Sequence, residues 1–403
     1  MPKTKLYAIL FIKEGMFMWN IEEIKAKKRQ VIKRIKNCTN PKEKEKLELT
    51  LKTYIVMIDN IGTIRHTKIY NLMDKLTKGH FILLRPSERL IINGEFINNL
   101  SKDFMDDYYL SFLIELCENI SENNKIINNF IDIKLSEYNI KDEDLIKLSK
   151  QFYLNLGDKE IYTCAKKILD DPTALNFNKE FTNNLKSAQG ITFHDFTYNK
   201  VYCAIKRNNT FLDLQANNHE IMHGVDFYIH KKDSTESYHG FQEVPTYTMD
   251  YLFIDYLDTL NLDQLEVQKL RIQKDLYIKN LATLTSIEIR SKIISKKNLS
   301  KLKTFTVNDV KEIMNDTILK RLLELESGII AYGIYRQIEE NFEQGLNTLK
   351  TFMKTTLPKD KKPDFSNIGL TEEKILNLSK EFGDYSKNNQ SSKNYIRKLN
   401  KNI

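Results

Sequence analysis

The spacing of apolar residues predicts helices over most of the chain. From about residue 20 to 180, apolar residues recur every three or four positions, as they do along one face of a helix. Ile21, Ile24, Val31 and Ile35 mark one such stripe within an otherwise highly charged segment. Chain breakers are scarce, with 13 Gly and 7 Pro in 403 residues, which favours long helices over a turn-rich fold. We therefore predict a mainly α protein.

A different pattern follows Gly190. Val201, Cys203 and Ile205 recur at every second position, which is the period of a half-buried strand. Asn199 occupies a position where a hairpin turn is expected. Three short strands are predicted here, at residues 191–197, 200–206 and 210–214. They form a small β-sheet embedded in the helical body.

Helices return after the predicted sheet. One helix is expected to start with Asn217 or Asn218 as its N-cap, and another starts near Glu243, after which helices continue to the end of the chain. The predicted division has three parts: a helical region at 1–185, a region at 186–385 that contains the sheet and these helices, and a basic tail at 386–403.

The net charge of +8 is unevenly distributed along the chain. Residues 1–60 contain 14 Lys and Arg against 7 Asp and Glu, whereas residues 211–260 contain 2 against 9. The basic excess falls on the charged helix, where such runs are usually solvated faces, so nucleic-acid binding is disfavoured. The acidic region suits a divalent cation or basic peptides.

Cysteine usage and hydropathy indicate a protein of the cytoplasm. The four cysteines are far apart and form no CxxC pair, as expected of reduced thiols (Cys38, Cys117, Cys164 and Cys203). The apolar run at residues 6–12 is too short to span a bilayer and lacks the cleavage site of a signal peptide. We expect no membrane insertion, although export without a cleaved signal or delivery into a host stays open. The oligomeric state cannot be predicted.

The motif that most clearly indicates a chemical function is His219-Glu220-Ile221-Met222-His223. Residues i and i+4 share a helix face, so His219 and His223 can reach one metal ion together. Glu220 then lies beside them as the base that activates a water molecule. This HExxH arrangement is typical of zinc peptidases, with one Zn²⁺ ion as the cofactor.

A catalytic zinc ion needs a third protein ligand. His230 follows His223 by seven residues on roughly the same face, and Asp226 is closer but is expected to face away. Glu236 and Glu243 come later, and a ligand from a second packed helix supplies a geometry that one helix cannot. Glu243 is favoured on this ground, with the other residues as alternatives.

The segment around Glu243 resembles a known family. Following the motif, Gly240-Phe-Gln-Glu243-Val-Pro-Thr246 is similar to the corresponding helix of the thimet oligopeptidase and oligopeptidase F family of zinc peptidases. Residues 251–257 and 327–333 are similar to further helices of that family. The resemblance implies a zincin-like domain of the gluzincin type, with zinc on His219, His223 and Glu243 and with Glu220 as general base.

The chain departs from the family pattern in several respects. Met222 stands where the family usually has Gly, and the loop before Glu243 is a few residues short. The chain is also shorter than typical members. No His or Tyr lies between Leu299 and Gly328, where the family has a pair that stabilises the oxyanion.

Other residues must therefore donate to the oxyanion if the chain is catalytic. The candidates are Tyr332, Tyr335 and Arg336, and Asp250 is a candidate for orienting a ligand histidine. The first hypothesis is a zinc endopeptidase or oligopeptidase that acts on a peptide or protein. The alternatives are a relative that binds metal or peptide without cleavage, and a helical binding protein that uses the basic N-terminal region.

Overall fold

The structure is a computed structural model that describes residues 20–61, 106–123, 135–177, 189–195, 197–230, 239–299, 302, 305–355 and 362–382. Its helices are α1 (Ile21–Asn37), α2 (Pro41–Ile61), α3 (Asp107–Asn123), α4 (Asp142–Asn155), α5 (Lys159–Leu169), α6 (Leu212–His230), α7 (Glu243–Thr259), α8 (Gln264–Lys297), α9 (Val307–Ile313), α10 (Asp316–Glu340), α11 (Phe342–Lys354) and α12 (Glu372–Glu381). The strands are β1 (Leu175–Asn176), β2 (Gly190–Asp195) and β3 (Lys200–Ile205), and short 3₁₀ helices span His239–Gln242 and Ser366–Ile368. The predicted mainly α fold, with a small sheet before the motif helix, is confirmed.

The chain forms two compact units. One consists of Met1–Asn93 and Glu137–Ile229, and the other of Gly94–Ser136 and His230–Ile403. The division predicted from the sequence (1–185, 186–385 and 386–403) stays a prediction, and its basic tail lies outside the described residues.

In the first unit, α1 and α2 pack together and cover β2. The Asn20 side chain caps α1 by accepting a hydrogen bond from the Glu23 N–H at 3.1 Å, which satisfies a free amide of the first turn. The predicted stripe is buried at Ile24, Val31 and Ile35, where it joins a core cluster with residues of α2 and the sheet. Burial of this stripe, rather than helix propensity alone, holds the charged helix in place.

Two contacts attach α2 to β2. The Thr53 hydroxyl donates a hydrogen bond to the His194 carbonyl at 3.2 Å. The Tyr54 hydroxyl donates to the buried carboxylate of Asp195. Since β2 continues back to Gly190, these bonds fix the strand that lies beside the motif helix.

The sheet has the order β1-β3-β2, with β2 antiparallel to β3 and β1 parallel to it. The first two predicted strands are confirmed, and the turn between them holds Asn199 in the left-handed region at φ 49°. The predicted third strand at 210–214 is wrong. Residues 212–214 belong to α6, and the third strand is β1, whose Leu175 pairs with Cys203.

Helix α6 begins earlier than predicted. Its first turn contains Asp213, whose buried carboxylate accepts hydrogen bonds from the backbone N–H groups of Asn208 at 2.7 Å and Asn209 at 3.0 Å. The Arg207 guanidinium also donates to Asp213 at 2.9 Å. The predicted N-cap at Asn217 or Asn218 is therefore wrong, because both residues lie inside the helix and are buried.

The second unit is a helical assembly in which α10 packs against α7, α8 and α11. The long helix α8 starts at its N-cap Asp263, which accepts from the Leu265 N–H at 2.9 Å, and ends at Asn298 in the left-handed region. All four cysteines are free thiols. Among the described residues, no helix has both the length and the apolar character that a membrane span requires.

Candidate metal centre

Helix α6 carries the HExxH motif as predicted. His219 and His223 lie one turn apart, with ring centroids separated by 4.9 Å and ring planes nearly perpendicular. Both histidines are half-buried, whereas Glu220 is buried. The i, i+4 spacing thus brings the two imidazoles together on one helix face.

Three side chains that can ligate a metal ion come together. His219, His223 and Glu243 each offer one ligand atom, and these atoms all lie within 4.8 Å of one another. Ligand atoms on a tetrahedral zinc ion are about 3.3–3.6 Å apart, since each bond is about 2.0–2.2 Å long. Two imidazole nitrogens and a carboxylate oxygen are a donor set that zinc accepts, so the residues present fit this ion after small side-chain rotations.

Glu243 has a polar neighbour that the sequence reading missed. Glu243 is the first residue of α7, and the buried Thr246 lies three residues later on the same helix face. The Thr246 hydroxyl lies 2.9 Å from the Glu243 carbonyl oxygen and 3.2 Å from its Oε2. The i, i+3 spacing in a first helical turn was the signal that could have found this contact.

The alternative third ligands lie outside this group of three. The His230 Nδ1 is 2.6 Å from the Met353 carbonyl oxygen. Asp226 is half-buried on α6. Glu236 lies outside the described residues. The choice of Glu243 among these residues stays a prediction.

Asp250 forms an ion pair within its own unit, and its role in orienting a ligand histidine stays a prediction. It is buried, and its Oδ2 accepts a hydrogen bond from the Lys274 Nζ at 2.8 Å. The same ammonium lies 3.6 Å from the ring centroid of Tyr247. The described contacts of Asp250 therefore stabilise the packing of α7 on α8 within the second unit.

The predicted oxyanion donors, buried Tyr332 and Tyr335 and half-buried Arg336, contact aromatic and charged groups. The Tyr335 hydroxyl donates to Asp255 at 2.9 Å and lies 3.1 Å from Glu339. Burial and the Asp255 carboxylate raise the pKa of Tyr335 well above its ordinary value, so this hydroxyl keeps its proton. Arg336 donates to Glu339 at 2.7 Å.

Tyr332 is placed by aromatic packing. Its ring makes edge-to-face contacts with Phe382 at a centroid distance of 5.2 Å and with Tyr251 at 6.1 Å. Only 7% of the residue is exposed. A role of Tyr332, Tyr335 or Arg336 in catalysis stays a prediction.

Comparisons with known proteins find distant structural likeness only. No family model and no curated protein matches the chain. A protein from Bacillus anthracis, assigned provisionally as an oligoendopeptidase F, shares 12% identity at a TM-score of 0.43, over 90% of this chain and 63% of its own length. A protein from Chlamydophila abortus, assigned provisionally as a peptidase, shares 12% identity at a TM-score of 0.49, over 94% of this chain and 64% of its own.

PZ peptidase A, solved with an inhibitor, shares 13% identity at a TM-score of 0.42, over 89% of this chain and 66% of its own length. The chain thus spans just under two thirds of the length of the solved structures it matches. At these identities and TM-scores the comparisons assign no family to the chain.

Proposed function

We propose that the protein is a zinc-dependent peptidase, an endopeptidase or oligopeptidase, with one Zn²⁺ ion on His219, His223 and Glu243. The observation that carries the proposal is the proximity of these three ligand atoms, within 4.8 Å of one another. The HExxH spacing on α6 supports it further, since it places a carboxylate directly beside a ligand. The resemblance to the thimet oligopeptidase and oligopeptidase F family is consistent with the same ligand set.

Hydrolysis needs a Lewis acid and a group that transfers a proton. A bound zinc ion supplies Lewis-acid chemistry, which acidifies water and polarises the scissile carbonyl. Glu220 takes a proton from the attacking water and delivers it to the leaving amine nitrogen. The peptide is cleaved by water directly, without an acyl-enzyme intermediate.

The developing oxyanion needs a hydrogen-bond donor from the chain. Among the predicted donors, the Arg336 side chain is 31% exposed, and its guanidinium is paired with Glu339. The Tyr335 hydroxyl would first have to leave the Asp255 carboxylate. Tyr332, Tyr335 and Arg336 therefore all stay candidates for the donor.

A second candidate function is metal or peptide binding without cleavage. The observation that favours it is the pairing of both Tyr335 and Arg336 with carboxylates of their own unit. If those pairings persist with substrate bound, amide cleavage loses its oxyanion donor while the zinc ligands are unaffected.

The experiment that tests the proposal measures metal content and cleavage on the same full-length protein. We expect about one zinc per chain by elemental analysis. We also expect cleavage of a quenched peptide library that stops with a chelator and returns with zinc. Bound zinc without cleavage of any peptide would favour the second candidate. Failure of the purified protein to bind zinc would refute the peptidase and the metal-binding form of the second candidate.

A further inference from the structure

Strand β2 brings a hydroxyl group to the proposed general base. The Thr192 Oγ1 lies 2.7 Å from the Glu220 Oε2 and 2.9 Å from the Glu220 carbonyl oxygen. Thr192 precedes Glu220 by 28 residues, and both belong to the first unit. A threonine side chain reaches across from the sheet to the carboxylate of the motif helix.

The single hydroxyl proton of Thr192 has two oxygen acceptors within reach. A carboxylate oxygen is the stronger acceptor, and the contact to Oε2 is the shorter one. The Glu220 carbonyl has another donor, because the Cys203 Sγ lies 3.4 Å away. The proton of Thr192 therefore goes to the Glu220 carboxylate, while the Cys203 thiol donates to the carbonyl.

Gly190 makes room for the same carboxylate. A Cβ at this position would lie 2.4 Å from the Glu220 Cγ, 2.6 Å from its Oε1 and 2.7 Å from its Cδ. These separations are shorter than any ordinary carbon contact, so the Glu220 side chain occupies space that only glycine leaves open. Gly190 and Thr192, two residues apart on one face of β2, thus lie beside the two different oxygens of one carboxylate.

We propose that Thr192 and Gly190 are positioning residues for the general base. Thr192 binds Oε2 and fixes the plane of the carboxylate, and Gly190, which has no side chain, leaves room for the Cγ and Oε1 of Glu220. In this arrangement Oε1 is the oxygen that exchanges protons. This inference rests on the proposed peptidase function.

The proton movements follow from this arrangement. An O–H bond of the attacking water breaks while its oxygen forms a bond to the scissile carbon. The π electrons of the carbonyl move onto its oxygen, and the proton passes to Oε1. The Oε1–H bond then breaks as the leaving nitrogen gains the proton and the C–N bond is cleaved. Thr192 keeps its own proton throughout, so it positions the Glu220 carboxylate but transfers no proton.

The test compares Thr192→Val and Thr192→Ala with Thr192→Ser in the zinc-loaded, full-length protein. Val keeps the shape and Ala removes the bulk, but both lack the hydroxyl, which Ser retains. We expect kcat to fall about tenfold to a hundredfold in the Val and Ala variants with KM changed by less than about twofold. Thr192→Ser should keep kcat within about threefold of wild type.

A binding measurement separates positioning from turnover. Acetohydroxamic acid chelates zinc and needs a nearby carboxylate to accept its proton. We expect calorimetry to show about fivefold weaker binding to the Val variant, the effect of one misplaced hydrogen bond. The zinc content should stay at the wild-type level, because neither residue is a proposed ligand.

The matched control is Thr285→Val. Thr285 is fully buried in α8, and its hydroxyl donates to the Leu281 carbonyl at 2.7 Å, so this variant likewise loses one threonine hydroxyl and its hydrogen bond. Its kcat and its affinity for acetohydroxamic acid should equal those of wild type.

The outcomes distinguish the inference from the proposed function. Wild-type kcat in Thr192→Val and Thr192→Ala, with Glu220→Gln inactive, would overturn the positioning role and leave the peptidase intact. Loss of zinc, or a rise in KM alone, would overturn it as well, because the hydroxyl would then serve the fold or the substrate. A zinc-loaded wild type that cleaves nothing would overturn the proposed function, and the positioning role with it.

Discussion

Replacement of Gly190 by alanine tests the geometry of the general base most sharply. The added Cβ would lie 2.4 Å from the Glu220 Cγ, and ordinary contact begins at 3.4 Å. The Glu220 side chain must therefore retreat by about 1 Å, a displacement that can lower catalysis by about a hundredfold when it affects a reacting group. A hundredfold loss corresponds to about 2.7 kcal/mol of activation free energy.

The stability of the Gly190→Ala variant should hardly change. Alanine in a strand is favoured over glycine by about 0.5–1 kcal/mol, because it restricts the unfolded chain. Moving a flexible side chain off its preferred rotamer costs about 0.5–1.5 kcal/mol, so the two contributions roughly cancel. The variant should therefore be folded and zinc-loaded but slow.

The assay measures kcat and KM on a quenched peptide at saturating zinc, together with the thermal midpoint and the zinc content. Gly345→Ala provides a contrast, because its Cβ would lie 2.4 Å from the backbone nitrogen of Ile338, which cannot retreat as a side chain can. That variant should lose stability but keep wild-type kcat per folded, zinc-loaded molecule. Wild-type kcat in a folded Gly190→Ala protein, or loss of its zinc, would refute the reasoning.

Two further predictions concern buried charges of the second unit. Burial raises the pKa of Glu326, 1% exposed and hydrogen-bonded by Tyr109, to about 7. The folded protein then holds a proton between about pH 4.5 and 7 that the unfolded chain has lost, so the free energy of unfolding should fall by about 3 kcal/mol as pH rises through this window. The free energy of unfolding from denaturant titrations should show this pH dependence in wild type and not in Glu326→Gln. The same pH dependence in both proteins would contradict the prediction. Lys274→Met leaves the Asp250 carboxylate without its buried cation. We expect the free energy of unfolding, measured with denaturant, to fall by about 3–5 kcal/mol. A fall of less than about 1 kcal/mol would show that the ion pair is dispensable.

Local periodicity was sufficient to predict the elements whose signals lie within one segment. The stripe of α1 is buried as predicted, and β3 is a strand as predicted. The expectation that β3 is half-buried is wrong, because Tyr202 and Ala204 on its second face are buried as well. The proximity of His219 and His223 follows from helix geometry alone. These parts of the fold needed no knowledge of the rest of the chain.

The parts that the sequence did not reveal depend on distant partners. Residues 210–214 are a short, largely apolar segment that was predicted as a strand, but Asp213 accepts the amides of Asn208 and Asn209 in the first turn of α6. Strand β1 has two residues, too few for any periodic signal, and it is defined by its parallel pairing with β3. The contact of Thr192 with Glu220 likewise joins positions 28 residues apart, which no local pattern indicates.

The role of Glu220 in metal-dependent cleavage is the central claim. The most direct test compares wild type and Glu220→Gln on a quenched peptide library at equal zinc occupancy, which elemental analysis verifies. We predict that the variant retains zinc and wild-type stability and loses at least about a thousandfold in kcat, because Gln cannot accept the proton of the attacking water. Cleavage at the wild-type rate by zinc-loaded Glu220→Gln would contradict the account.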